Sequence, residues 1–133
     1  MPYLNVKICG QQSPEVTSKV ASFLTELTAS VLGKKKELTS VAVEYLSPGQ
    51  WFIGGTSLSS QGLATFYLDI KVTEGTNTKN EKASYAHKVF AEFEAVLGGL
   101  NPASYIVIHE VRADSWGYAG ETQEFRYIKG RSL

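Results

Sequence analysis

The sequence predicts an α/β domain of the α+β kind: two β-α-β units forming one four-stranded mixed sheet, with two helices on one face. Three observations carry this. Four runs alternate apolar and polar residues with period two, as half-buried strands do. Two longer stretches place apolar residues three and four apart, as helices with one buried stripe do. The order is strand, helix, strand, then the same again, which divides the chain into a pseudo-repeat over residues 2–55 and 64–112 and a C-terminal tail over 113–133.

The first strand runs from Tyr3 to Cys9, with Leu4, Val6 and Ile8 on one face and Tyr3, Asn5 and Lys7 on the other. Ser13-Pro14-Glu15 reads as a helix start: a capping serine, proline at the first helical position and an acid in the first turn. Val16, Val20, Phe23, Leu24, Leu27 and Val31 supply the buried stripe of that helix, which ends at Leu32-Gly33. Leu38 to Leu46 is the second strand, turned by Ser47-Pro48-Gly49; Trp51-Phe52-Ile53 is a brief apolar run closed by Gly54-Gly55, and 56–62 is a Ser/Gly-rich loop.

The second unit repeats the plan. Phe66, Leu68, Ile70 and Val72 alternate against Thr65, Tyr67, Asp69 and Lys71 as the third strand. Thr78-Lys79-Asn80-Glu81 fits a capping box, ahead of a helix carrying Ala83, Ala86, Phe90, Phe93, Val96 and Leu97 and stopped by Gly98-Gly99. Tyr105 to Val111 is the fourth strand, Trp116 to Gly120 a turn-rich aromatic stretch, and Glu124 to Ile128 one more short strand. Helical connections of this length imply parallel, right-handed crossovers within each unit. The helices take the aliphatic sheet face. The opposite face, with Tyr3, Asn5, Thr65, Tyr67 and Asp69, is too apolar for solvent and too polar for a dry core, which suits the interface of a closed symmetric oligomer.

The chain of 133 residues is sized for one domain, 1–133, with a core of its own. Thirteen basic residues balance thirteen acidic ones, so no electrostatic footprint calls for nucleic acid or an anionic membrane. The lone Cys9 makes no internal disulfide and carries no metal-site spacing; it reads as a small buried hydrophobe, with a nucleophilic role as the alternative. No leader pattern opens the chain and no apolar run is long enough to span a bilayer, so a cytoplasmic protein is expected.

Met1-Pro2 opens the chain, and proline is small enough for Met1 to be trimmed, leaving a secondary amine. A free α-amino group titrates at roughly 7.7–8.0, and an apolar pocket lowers that further. Such an amine is a neutral base at working pH, although Met-Pro starts also occur with no such role.

Pro2, the two strand–helix–strand units, Leu38-Thr39-Ser40-Val41 and the stretch from Gly49-Gln50-Trp51 to Gly54-Gly55 together resemble the tautomerase superfamily, in the double-length form. That superfamily includes 4-oxalocrotonate tautomerase and macrophage migration inhibitory factor, and the resemblance spans residues 2–116. It implies a homotrimer with the active site between neighbouring subunits, no metal or organic cofactor, and a small keto or enol acid as partner. Carried across by position, it implies Pro2 as catalytic base, Lys34 as the lysine that meets a substrate carboxylate, and Trp51, Ile70, Tyr105 and Trp116 as pocket residues, the tyrosine reaching across a subunit boundary.

Some positions depart from the family pattern. Gln12 and Ala42 stand where 4-oxalocrotonate tautomerase has arginines, which removes its bidentate grip on a dicarboxylate. Val107 replaces a polar pocket residue of the migration-inhibitory-factor branch, and Thr73 and Thr76 fall where the cis-chloroacrylate dehalogenase branch has arginines. Arg112 or Arg126 would supply a missing cation if the tail folds over the pocket. Plainer roles stand beside these: Lys34 as part of a solvated Lys34-Lys35-Lys36 helix end, Trp51 and Trp116 as interface packing, Tyr105 as an ordinary strand residue, and His109 as a packed histidine or a second proton carrier.

The expected activity is a cofactor-independent keto–enol tautomerase acting on a small 2-keto acid. The alternatives are a hydratase, dehalogenase or decarboxylase of the same superfamily, or a non-enzymatic trimeric binding protein.

Overall fold

The computed structural model describes residues 2–131. Its centre is a four-stranded mixed sheet of β1 (Tyr3–Cys9), β2 (Ser40–Tyr45), β5 (Thr65–Thr73) and β6 (Tyr105–Val111) in the order β2-β1-β5-β6. β1 runs parallel to β2, β5 runs parallel to β6, and the two halves meet antiparallel along β1 and β5. Two short hairpins complete the strands: β3 (Phe52–Ile53) with β4 (Thr56–Ser57), and β7 (Gly117–Tyr118) with β8 (Glu121–Thr122).

Strand parity builds the core. Ile8, Val6 and Leu4 of β1 face Phe66, Leu68 and Ile70 of β5 across the antiparallel ladder, and all six are fully buried. Against them pack α1 (Pro14–Ser30), through Val20 and Leu24, and α2 (Lys79–Leu97), through Tyr85, Val89 and Phe93. Both helices therefore cover the aliphatic face. Phe66 stacks on Phe93 with ring centroids 3.9 Å apart, and Phe23 meets Phe93 edge-on at 4.9 Å, so one aromatic column ties sheet and helices together. Between the helices the buried hydroxyls of Thr28 and Tyr85 lie 2.9 Å apart, while Thr28 Oγ1 also donates to the Leu24 carbonyl. Burial pushes the Tyr85 phenol up to about 12.

The caps form as the sequence implies. Ser13 Oγ accepts from the Val16 amide at 3.1 Å, and Thr78 with Glu81 makes a reciprocal capping box. Gly54 and Gly55 sit at φ of +62° and +76°, the left-handed pair that a two-residue hairpin turn demands. They join β3 to β4, so part of the stretch expected as loop is paired strand.

The principal correction concerns the tail. Glu124 to Ile128 is not a strand: it lies within α3 (Gln123–Lys129), whose cap Thr122 accepts from the Phe125 amide at 3.0 Å. That cap satisfies a helix N–H locally. The Gln123 amide donates to the Trp116 carbonyl at 3.0 Å and the Glu124 amide to Ala113 at 2.9 Å, which folds α3 back onto the end of β6. Residues 1, 132 and 133 lie outside the described chain.

Candidate active site

The first half of the sheet register decides what surrounds Pro2. Tyr3 pairs with Ser40 on one side and Lys71 on the other, so Pro2 lies one step beyond, between the start of β2 and the end of β5. Its carbonyl accepts from the Ser40 amide at 3.3 Å, and its side chain is buried. The same end of the sheet carries the loop after α1, the loop after β5 and the tail.

These segments enclose a cleft of about 540 Å³. The α1 side contributes Gly33, Lys34, Lys35 and Leu38; the β5 side, Thr73 and Thr76; and the tail, Ala113 with Gln123, Glu124, Arg126 and Tyr127. Lys34 is half-buried, and its Nζ donates to Thr76 Oγ1 at 2.9 Å. Desolvation pushes the Lys34 amine below its ordinary value, with the Glu81 carboxylate working in the opposite direction. Lys34 is thus more buried than its neighbours: Lys35 lines the same cleft but is exposed. Lys36 is exposed and paired with Glu26.

The other residues singled out from the sequence fall elsewhere. Trp51 lies with Lys7, Gln50, Tyr67 and Asp69 around a separate depression of about 410 Å³ on the open sheet face. Tyr105 projects from the same face, 58% exposed, with its ring 6.4 Å from that of Tyr67. Tyr67 pairs with Lys7 and Tyr105, towards the end of β1 remote from Pro2. Within one protomer, then, Pro2 and Lys34 stand at one end of the sheet and Trp51 and Tyr105 towards the other.

Ile70 has no exposed surface: it packs beneath the helices opposite Leu4, because β5 turns its even-numbered positions to the core. It lines no cleft in this protomer. The odd-numbered Thr73, at the end of the same strand, does. Trp116 is half-buried beneath the tail, its indole Nε1 enclosed and without a partner among the described residues. His109 pairs with Asp69 on the open face, and Arg112 pairs with Asp114 at 3.4 Å away from the cleft. Gln12 and Ala42 lie outside the cleft lining. Cys9 is 1% exposed and burial raises its pKa, which fits packing and opposes nucleophilic use. Periodicity in the sequence had no means of finding Gln123 and Tyr127, since both enter the cleft only through the fold of the tail.

Residues 2–61 match the family model for tautomerase enzymes. By sequence, the chain is thus similar to the tautomerase family over its first β-α-β unit. Its likeness to solved structures extends through the second half at the level of fold. A fused 4-OT symmetric trimer superposes with a TM-score of 0.80 at 17% identity, covering 97% of this chain and 99% of that one. The macrophage migration inhibitory factor homologue from Prochlorococcus marinus gives 0.73 at 21% identity over 90% and 97% of the two chains. The protein Pt0534, solved after inactivation by 2-oxo-3-pentynoate, gives 0.82 at 13% identity over 97% and 99%. No curated protein sequence matches the chain. No helix among the described residues is long and apolar enough to cross a membrane.

Proposed function

We propose that this chain is a cofactor-independent tautomerase of small 2-oxo acids, with the secondary amine of Pro2 as general base once Met1 is removed. The observation that carries the reading is the register at the start of β1. It sets Pro2 beside Ser40 and the end of β5, at the end of the sheet where Lys34 stands partly desolvated in an open cleft. A buried amine is biased towards its neutral, basic form, and a nearby cation strengthens that bias.

In the reaction, Pro2 takes a proton from the enol hydroxyl, or from the carbon beside the carbonyl, and returns it at another atom of the same conjugated system. Negative charge builds on oxygen as the proton leaves. A positioned cation or hydroxyl stabilises that charge in the transition state, and Lys34 and Tyr105 are the groups assigned to it.

Tyr105 reaches the reacting atoms only from a second subunit, since its own protomer holds it towards the other end of the sheet. This supports a homotrimer, as the similar fused 4-OT forms, with the open sheet face as the interface and Trp51, Tyr67 and Tyr105 brought to a neighbour's cleft. The substrate class is supported by Pt0534, whose inactivating reagent is itself a 2-oxo compound. Thr73 and Thr76 line the cleft as neutral hydroxyls, which favours proton transfer over chemistry that needs arginines at those places.

The test is the intact mass of untagged protein, followed by ketonisation of phenylpyruvate enol with and without Pro2→Ala. A mass short of one methionine and a loss of roughly 10²–10⁴ in kcat/KM, the range of general acid–base catalysis, are expected. A retained Met1 makes the Pro2 nitrogen an amide and sinks the reading in favour of a binding protein.

A further inference from the structure

The tail brings an unusual arrangement of polar groups to the cleft. Gln123 is only 8% exposed, yet it lines the cleft. Its Oε1 accepts from Arg126 Nη1 at 2.8 Å, while its Nε2 is enclosed with no hydrogen-bond partner among the described residues. A buried amide donor left without an acceptor is costly, and such groups in folded proteins normally have a partner. The guanidinium of Arg126 lies 4.5 Å over the ring of Tyr118. Among the described residues it makes no ion pair, and its one side-chain hydrogen bond is the one to Gln123. The fork is thus steadied on one edge and one face, with its other donors unclaimed.

We propose that Arg126 on α3, steadied by the Gln123 amide oxygen, is the carboxylate anchor of this cleft, and that its ligand is a small carboxylate with an apolar tail. A guanidinium presents two parallel N–H donors to a carboxylate, and the Gln123 oxygen holds this one in place. α3 thereby provides within the chain the planar cation that Gln12 and Ala42 do not. Leu38, Ala113 and Tyr127 offer apolar surface for the remainder of the ligand, and Lys34 remains available to the oxygen on which charge develops. Among the described residues Glu124 is the one carboxylate in the lining, beside Lys34, Lys35 and Arg126. The proposal deepens the tautomerase reading by assigning this carboxylate to its substrate, but the anchoring itself is a binding property with its own readout.

Calorimetric titration of the full chain with phenylpyruvate, and with phenylacetone as the neutral ketone lacking the carboxylate, tests it. Arg126→Ala is expected to weaken phenylpyruvate binding about 10- to 100-fold, the scale of a lost charge-assisted contact. Phenylacetone binding is expected to stay within about twofold by the same argument, since it has no anion to lose. Arg126→Lys restores binding only in part, because an ammonium lacks the fork, and Gln123→Met falls between. In turnover the loss appears chiefly in KM. Arg126→Gln stands in if circular dichroism shows Arg126→Ala unfolded. Phenylpyruvate binding within twofold of wild type in the folded variant overturns the anchor, as does wild-type protein that binds phenylpyruvate no better than phenylacetone. Arg126-dependent binding in a protein whose turnover survives Pro2→Ala sinks the tautomerase reading and leaves the anchor standing. Pro2-dependent turnover with Arg126-independent binding does the reverse.

Discussion

Lys34 and Thr76 join the two halves of the pseudo-repeat. The amine, just after the first helix, donates to the hydroxyl just after β5 at 2.9 Å. The contact holds a partly desolvated cation in the lining of the cleft, its pKa lowered by burial.

The pH profile should show this. Lowering the pKa of a base means that it deprotonates earlier as pH rises, so kcat/KM should fall on the alkaline side below the 10.5 of an ordinary lysine. Lys34→Arg should move that limb upward, because a guanidinium stays charged throughout. Lys34→Met should remove the limb and lower kcat/KM by roughly 10- to 100-fold, with stability changed by less than about 1 kcal/mol. An alkaline limb that is unmoved in both variants would assign the titration to another group.

Tyr85 predicts a different alkaline effect, on stability. Burial pushes its phenol up to about 12 in the folded protein, from the 10.0 of an ordinary tyrosine. The unfolded chain therefore loses this proton first, and unfolding becomes easier as pH rises from 10 towards 12. Below 10 the contribution is fully present. Each unit of separation is worth about 1.4 kcal/mol, so urea midpoints should fall across that window and fall less in Tyr85→Phe. At neutral pH the same substitution should cost about 1 kcal/mol for the lost Thr28 contact.

Tyr105 tests the assembly. Its ring stands exposed on the open sheet face beside Tyr67, where an arginine would bring charge into a subunit interface. Sedimentation of the wild-type protein should give a trimer, and Tyr105→Arg should shift it towards smaller species with loss of turnover and an unchanged circular dichroism spectrum. A variant that sediments as the wild type does, at full activity, would remove Tyr105 from both the interface and the site.

How much of this was legible in the residues depends on how local each signal is. Leu4, Val6 and Ile8 alternate within one strand, and Ser13, Pro14 and Thr78 announce helix starts within one turn, so the four main strands, both long helices and the face they cover could be read directly. The second strand came out shorter than Leu38 to Leu46 because Lys36–Leu38 tightens into a 3₁₀ turn first. The tail escaped because its short apolar–polar run is ambiguous between periods two and 3.6. Its helix depends on the Thr122 cap and on backbone contacts to Ala113 and Trp116.

The sequence by itself determined the doubled strand–helix–strand plan, the aliphatic core and the position of Pro2 at the start of a strand, since each follows from periodicity and order along the chain. Only the tertiary structure decided which side chains share the cleft. Parity drew Ile70 into the core and left Thr73 at the rim. The antiparallel join of the halves put Lys34 against Thr76, and the folded-back tail carried Gln123 and Arg126 to the same place. Those meetings are set by register and loop closure between distant segments, which no local pattern encodes.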